Sequence, residues 1–151
     1  MFLEKGGVWV VAQFAVMAAW LVAAPLRRRF APSRSDRIAA AILLSAGAAA
    51  GISGAAVLGE SRTPFPKPPD GARLVQHGIY AIVRHPLYLS LIALSFGWAL
   101  LWRSCGAGVL AIIQAALLDA KARSEEHWLR ENFPDYATYS ARVRRLIPWI
   151  Y

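Results

Sequence analysis

The sequence predicts an all-α integral membrane protein with about four transmembrane helices, a C-terminal helical hairpin and a cytoplasmic C-terminal helix. Hydrophobic residues make up 57% of the 151-residue chain, and the mean hydropathy is +0.39. Both values exceed what a soluble domain of this size needs. The apolar residues also lie in blocks close to the roughly 20 residues of helix that cross a bilayer. The length allows one small membrane domain over residues 1–151.

The two N-terminal spans occupy residues 1–58. An apolar run over residues 8–26 has Gln13 as its only clearly polar side chain and ends at Pro25 and a run of arginines. This run is longer than the core of a signal peptide, so we expect a retained span. The second span covers about residues 38–58, and its small residues let helix backbones approach closely in lipid. These include Gly47, Gly51 and Gly54.

A long loop over residues 59–86 leads to the most informative polar cluster of the chain. Prolines at 64, 66, 68 and 69 interrupt any helix there, and loops of this length are usually functional or disordered. Pro86 has a fixed φ and no N–H, so a helix is expected to begin at about this residue. Arg84, His85 and the free N–H groups of its first turn would favour an anion, with Tyr80 and Tyr88 nearby.

A helical hairpin is predicted over residues 87–132. The third apolar block covers residues 87–102, and the fourth, residues 107–118, continues without a breaker to about Asn132. Because consecutive helices form a hairpin, Arg84 and His85 should lie on the same side as Lys121 and Glu125. The four-residue spacing of Lys121 and Glu125 alone indicates a surface ion pair worth about 0.3–0.5 kcal/mol. Their position across the hairpin favours a binding site instead.

The tail, residues 133–151, combines aromatic residues with arginines. This composition is typical of an interfacial belt that lies on lipid headgroups. A cap over the site formed by the hairpin is compatible with the same composition.

Net charge and residue types exclude several function classes. The formal net charge is +8, and the basic residues sit beside apolar blocks, which favours membrane lipids over nucleic acid as the partner. Cys105 is the single cysteine, which excludes an internal disulfide and a multi-cysteine metal site. His77, His85 and His127 do not form a recognisable metal-binding pattern. No metal is therefore expected.

The distribution of Lys and Arg favours a cytoplasmic N-terminus. More basic residues fall on the N-terminal side of the membrane than on the opposite side, although arginines at 27, 28, 29, 34 and 37 follow the first span and pull the other way. We expect a multi-pass integral membrane protein whose site faces the cytoplasm.

Ordered motifs in the C-terminal half carry a family resemblance. They are Leu74-Val75, Gly78, Tyr80, Arg84-His85-Pro86, Tyr88, Glu125-Glu126, Leu129, Phe133, Tyr136 and Tyr139. Together these motifs, over about residues 72–150, resemble the isoprenylcysteine carboxyl methyltransferase family, whose wider group includes membrane phospholipid methyltransferases. The resemblance implies an integral membrane enzyme that binds S-adenosylmethionine on the cytoplasmic side and transfers its methyl group to a lipophilic acceptor.

The resemblance also implies which residues bind the cofactor. They are Arg73, Leu74, Val75, Tyr80, His85, Pro86, Leu87, Tyr88 and Glu125. Arg84 and His85 suit the cofactor carboxylate, Glu125 its ammonium or ribose, and the apolar residues and tyrosines its adenine. Transfer is implied to be direct, so no acid-base catalyst is assigned, and Arg84 and Lys121 are assigned positioning roles. A carboxylate acceptor needs no base, whereas an amine or phenol must lose a proton.

Two residues depart from the family pattern. Ser90 stands where the family commonly has glycine, which changes local packing in the third helix. Lys121 stands where the prenylcysteine enzymes have a substrate-binding arginine, and lysine lacks the planar two-pronged donor geometry of a guanidinium. Lys121 is therefore the expected substrate-binding residue, for a lipophilic or small acceptor such as a carboxylate.

Three functions are compatible with the sequence. The first is an S-adenosylmethionine-dependent membrane methyltransferase. The second is a non-enzymatic membrane module that keeps the methyltransferase fold and works through helix contacts. The third, ranked lowest, is a membrane reductase of similar hairpin architecture, because the sequence has no dinucleotide-binding fingerprint.

Overall fold

The computed structural model describes residues 6–26, 30–59, 63, 65, 71 and 73–151, and this part of the chain is helical. In chain order the elements are α1 (Gly7–Leu26), α2 (Arg34–Leu58), a one-turn 3₁₀ helix (Gly78–Ala81), α3 (Pro86–Trp102), α4 (Cys105–Asn132) and α5 (Tyr136–Arg142). The described residues form no strand, and Val83 and Arg144 make an isolated parallel bridge. The predicted all-α membrane class is confirmed. The arginines at 27–29 and the prolines at 64, 66, 68 and 69 lie outside the described residues.

Helices α1, α2 and α4 are each long and apolar enough to cross a membrane, and α3 is a shorter apolar helix. The 28 residues of α4 correspond to about 42 Å at 1.5 Å per residue. This length exceeds the roughly 30 Å of a hydrocarbon core. As predicted, α4 therefore continues beyond the bilayer to Asn132.

Local signals explain where the hairpin helices begin and end. Arg103 adopts a left-handed conformation, with φ of 48°, and ends α3. The hydroxyl of Ser104 then accepts a hydrogen bond from the backbone N–H of Ala107 and caps α4. Helix α4 consequently starts at Cys105, two residues before the apolar block that predicted it.

Helix α2 begins at Arg34, four residues before the predicted start near residue 38. Ser33 and Asp36 form a capping box, in which the Ser33 hydroxyl accepts from the Asp36 N–H at 3.1 Å. The Asp36 carboxylate accepts from the Ser33 N–H at 2.9 Å. Hydropathy does not detect this polar first turn, which explains why the predicted start lies four residues after the observed one.

Small residues bring α2 and α3 into close contact, as predicted for the second span. A Cβ atom added to Gly47 would lie 3.1 Å from the Ser90 carbonyl oxygen and from Leu94. A Cβ atom on Gly51 would lie 2.6 Å from the Ser90 hydroxyl oxygen. Gly51 thus makes room for the Ser90 side chain. A Cβ atom on Gly54 would lie 3.1 Å from Pro86, which places the start of α3 against α2.

The tail forms more structure than a belt on the membrane surface. Tyr136 and Tyr139 of α5 are buried, whereas Trp149 and Ile150 are exposed. The inner part of the tail therefore packs against the end of the helical bundle, and its last residues project outward.

Candidate functional site

Pro86 opens α3 and the tail runs beside it. Pro86 occupies the first turn, and His85 is the N-cap residue, with φ of −124° and ψ of 65°. The backbone N–H groups of Arg84 and His85 donate to the carbonyl oxygens of Arg144 and Arg145, at 2.8 and 3.1 Å. These bonds fix the tail against the residues that precede α3, an arrangement that agrees with a cap over the site.

A cavity opens at this end of the hairpin. Its empty space, including the mouth that is open to solvent, is about 780 Å³. All predicted cofactor-binding residues except Pro86 line it: Arg73, Leu74, Val75, Tyr80, His85, Leu87, Tyr88 and Glu125. Arg84 lines it too, together with Leu58, Thr63, Leu129, Phe133, Tyr136 and Tyr139. The structure thus brings the predicted set together around one space.

Pro86 and Lys121 are the predicted residues that do not line the cavity. Pro86 is buried against α2. Lys121 is also buried, at 1% exposure, and its ammonium donates to the Gln13 side-chain oxygen at 2.6 Å. The Lys121 nitrogen lies 5.3 Å from the centre of the Tyr88 ring. Lys121 therefore sits inside the bundle beside Tyr88, and not on the surface as the four-residue spacing alone suggested.

Glu125 presents its carboxylate to the cavity. It accepts a hydrogen bond from the Tyr88 hydroxyl at 2.8 Å and lies 3.6 Å from His85 Nδ1. The His85 and Tyr88 rings are stacked, with centroids 5.2 Å apart and nearly parallel planes. Tyr88 and His85 thereby fix the Glu125 side chain at the cavity wall.

Glu126 points away from the cavity and is 1% exposed. Its Oε1 lies 2.9 Å from Arg84 Nη2 and 3.2 Å from His85 Nε2. Arg145 binds both carboxylate oxygens, with Nε and Nη2 each at 3.0 Å. Because an ionised carboxylate only accepts hydrogen bonds, His85 Nε2 must carry a proton. Sequence reasoning noted Glu126 within a motif but assigned it no role, and the arginines that hold it are distant in sequence.

Two buried donors in the cavity walls have no hydrogen-bond partner among the residues that the structure describes. They are Arg84 Nε and the Tyr136 hydroxyl. The other Arg84 nitrogens are engaged, since Nη2 pairs with Glu126 and Nη1 donates to the Ser140 carbonyl oxygen at 2.7 Å. Buried donors nearly always have a partner in native proteins. A bound molecule with acceptor atoms would supply one.

The tyrosines of the cavity are donors and not bases. Burial, with the Glu125 charge as a smaller cause, raises the pKa of Tyr80 to about 12. Burial also raises the pKa of Tyr136 and Tyr139. Tyr139 uses its proton to bond the Tyr80 carbonyl oxygen at 2.6 Å. All three hydroxyls therefore stay protonated at neutral pH.

The cavity combines one carboxylate, guanidinium groups and aromatic walls. Such a set can bind a zwitterionic molecule with an aromatic or cationic part. Among the described residues, no group of three or more His, Cys, Asp or Glu side chains can hold a metal ion.

Comparison with known proteins agrees with this description. The nickel-cobalt-cadmium resistance protein NccN of Alcaligenes xylosoxydans xylosoxydans is 36% identical over 76 residues, which are 50% of this chain and 36% of that protein. The cobalt-zinc-cadmium resistance protein CzcN of Cupriavidus metallidurans is 33% identical over 76 residues, 35% of its length. The match thus covers about a third of each of these curated relatives. The model of the phospholipid methyltransferase family matches residues 35–136, and the chain belongs to this family of membrane methyltransferases.

Proposed function

We propose that the protein binds S-adenosylmethionine in the cavity and transfers its methyl group to a lipophilic or small acceptor. The observation that carries this proposal is the clustering of Glu125, Arg73 and the aromatic residues around one space. Family membership supports methyl transfer, and the cavity supports the cofactor. The cavity lies where the sequence predicted the cofactor site, which we propose faces the cytoplasm.

The residues present fit the functional groups of this cofactor. Glu125 suits the ammonium group or the ribose hydroxyls, and Arg73 suits the carboxylate. The unpartnered Arg84 Nε and Tyr136 hydroxyl offer further donors to acceptor atoms of the molecule. Leu74, Val75 and Phe133 provide apolar walls for adenine.

The proposed chemistry is direct transfer. When bound, the sulfonium group supplies an activated methyl group. The contribution of the chain is orientation, since Tyr88 and His85 hold Glu125 in one position before any ligand binds. Tyr136 and Tyr139 of α5, which are buried, form part of the cavity wall. The proposed acceptor is one that needs no deprotonation, such as a carboxylate.

The acceptor is proposed to be lipophilic in a general sense, and a prenylcysteine carboxylate is less well supported. Lys121, the proposed substrate-binding residue, already holds the Gln13 amide oxygen, and lysine lacks the two-pronged geometry of arginine. The relatives are named for resistance to metal cations.

Binding calorimetry on purified protein in detergent and in lipid nanodiscs tests the cofactor. We expect the wild type to bind S-adenosylmethionine and S-adenosylhomocysteine. Glu125→Ala should weaken binding about tenfold or more, because a hydrogen bond to a charged group contributes about 1.5–3 kcal/mol. Glu131→Ala, at an exposed position of the same helix, is the matched control and should bind like the wild type.

The same experiment separates the competing functions. Binding without methyl transfer to any acceptor would favour a non-enzymatic membrane module. Binding of a nicotinamide cofactor in place of S-adenosylmethionine would favour a reductase. Failure of the wild type to bind S-adenosylmethionine or S-adenosylhomocysteine in either medium would contradict the proposal.

A further inference from the structure

We infer that Glu126 is a positioning residue that locks residues 143–146 of the tail to the start of α3 and so holds the cavity walls together. This inference rests on the proposed function for its effect on cofactor binding. Glu126 does not line the cavity, so it acts through the residues that it holds.

One buried carboxylate joins segments that are far apart in sequence. Glu126 of α4 binds Arg84 and His85, which precede α3, and Arg145 of the tail. Arg130, one helical turn away on α4, adds a contact at 3.6 Å. The side chains of Arg84 and Arg145 are only 9% and 16% exposed. Without the Glu126 charge, these cations would repel each other in a poorly hydrated place.

Backbone bonds set the register that this carboxylate secures. Val83 and Arg144 form the parallel bridge, and the N–H groups of Arg84 and His85 bind tail carbonyl oxygens. Few such bonds hold the bridge, and an isolated bridge is weak compared with a full sheet. The bidentate Arg145–Glu126 pair adds a directional contact to these bonds, and Arg145 also lies 3.4 Å from the Asp119 carboxylate of α4.

Glu126 is linked to the cavity by two routes. In the first, Glu126 orients the His85 ring, which stacks on Tyr88, and Tyr88 bonds Glu125. In the second, Arg84 is held by Glu126 on one side and binds the Ser140 carbonyl oxygen of α5 on the other. Loss of the Glu126 charge should therefore increase the mobility of Glu125 and of α5, which both contribute to the cavity wall.

Neighbouring glutamates thus have separate duties. The Glu126 carboxylate pairs with cationic side chains of the protein itself. The Glu125 carboxylate faces the cavity and accepts a hydrogen bond from the Tyr88 hydroxyl. Glu126→Gln keeps the shape of the side chain, removes its charge and replaces one acceptor oxygen with an amide donor. It is therefore the variant that tests most specifically whether Glu126 holds the tail against the start of α3.

The test measures cofactor affinity and tail position separately. S-adenosylhomocysteine affinity is measured by calorimetry for the wild type, Glu126→Gln, Arg145→Gln, Arg145→Lys and the double variant Glu126→Gln/Arg145→Gln. Tail position is measured as a spin-label distance between native Cys105 and Trp149→Cys, both of which are exposed. Glu131→Gln is the matched control.

If Glu126 holds the tail in this way, Glu126→Gln and Arg145→Gln should each weaken S-adenosylhomocysteine affinity about tenfold. Each should also broaden the distribution of spin-label distances. The double variant should lose less than the sum of the two single losses, because both changes break the Arg145–Glu126 pair. Arg145→Lys keeps the charge and loses the two-pronged geometry, so its distance distribution should be narrower than that of Arg145→Gln and broader than that of the wild type. Glu131→Gln should match the wild type in both measurements.

Three results would overturn the inference: a narrow distribution in Glu126→Gln, wild-type affinity in that variant, or additive losses in the double variant. If Glu126→Gln fails to fold, the comparison of Arg145→Gln with Arg145→Lys decides, and equal tail positions in these two variants count against the lock. Failure of the wild type to bind S-adenosylhomocysteine would defeat the proposed function, while the distance distributions would still test the lock.

Discussion

Glu125 and Glu126 are adjacent on α4, but their carboxylates face different surroundings. Successive residues of an α-helix point about 100° apart, so one carboxylate faces the cavity and the other faces Arg84 and Arg145. The sequence identified the pair, and the resemblance assigned Glu125 to the cofactor. The role of Glu126 could not be assigned from sequence, because Arg84 and Arg145 lie 42 and 19 residues away from it and only the fold brings them together.

The Tyr88 hydroxyl is expected to strengthen cofactor binding by fixing Glu125 at 2.8 Å. Tyr88→Phe should weaken S-adenosylhomocysteine binding by a factor of about 2–10, since a typical hydrogen bond contributes about 0.5–1.5 kcal/mol. Glu131→Gln, at an exposed position of α4, should bind like the wild type. Equal affinities for Tyr88→Phe and the wild type would show that the Glu125 position does not depend on this bond.

The Gln13–Lys121 bond is expected to stabilise the bundle. Gln13→Leu removes an acceptor 2.6 Å from a buried ammonium and should lower the free energy of unfolding by about 1–3 kcal/mol. The double variant Gln13→Leu/Lys121→Met should regain much of that stability, because the buried ammonium is then removed together with its acceptor. Thermal unfolding in detergent measures both effects.

The double variant also tests the proposed role of Lys121. If Lys121 binds the acceptor, the stable double variant should bind cofactor normally and lose methyl transfer. Full transfer activity in that variant would assign Lys121 to structure alone.

At the scale of elements, the helix boundaries follow from local signals. Pro86 predicted the start of α3, and the unbroken run after residue 107 predicted the length of α4 to Asn132. The start of α2 was predicted four residues late because its capping box is polar. The 7 residues of α5 carry too short a periodic pattern to be identified against the aromatic tail.

The close packing of α2 on α3 should make its glycines intolerant of a methyl group. A Cβ atom on Gly47 would meet backbone and side-chain atoms of α3 at 3.1–3.2 Å, so Gly47→Ala should cost about 1–3 kcal/mol of stability through overpacking. Gly108→Ala is the control, because nothing lies within 4 Å of its added Cβ atom. It should be neutral or stabilise α4 by up to about 1 kcal/mol.

Thermal unfolding of both variants in the same detergent checks this expectation. An unfolding temperature for Gly47→Ala that equals or exceeds that of Gly108→Ala would contradict the close packing of α2 on α3.

At the scale of the whole molecule, the site is assembled from the hairpin and from parts outside the family match. The match covers residues 35–136, yet Gln13 of α1 holds Lys121 and Arg145 of the tail holds Glu126. The hairpin contact could be predicted, because topology alone brings the ends of two consecutive helices together. The contacts of α1 and of the tail depend on long-range packing, which no local pattern encodes.

Native Cys105 offers a direct test of orientation. It lies at the opposite end of α3 from the cavity, roughly 25 Å away along a 17-residue helix. With the cavity facing the cytoplasm, a membrane-impermeant maleimide should label Cys105 in intact cells. In the control, Cys105→Ser/Thr138→Cys, the exposed cysteine on α5 should be labelled only after permeabilisation. The reverse labelling pattern would place the cavity outside the cytoplasm.

Transfer of a labelled methyl group tests the central claim most directly. Purified protein in nanodiscs is incubated with methyl-labelled S-adenosylmethionine, fractionated membrane lipids and small thiol or carboxylate acceptors. The wild type and Glu131→Gln should label a product. With Glu125→Gln the amount of labelled product should fall about tenfold or more. Wild-type protein that binds the cofactor and labels no fraction would contradict the assignment as a methyltransferase.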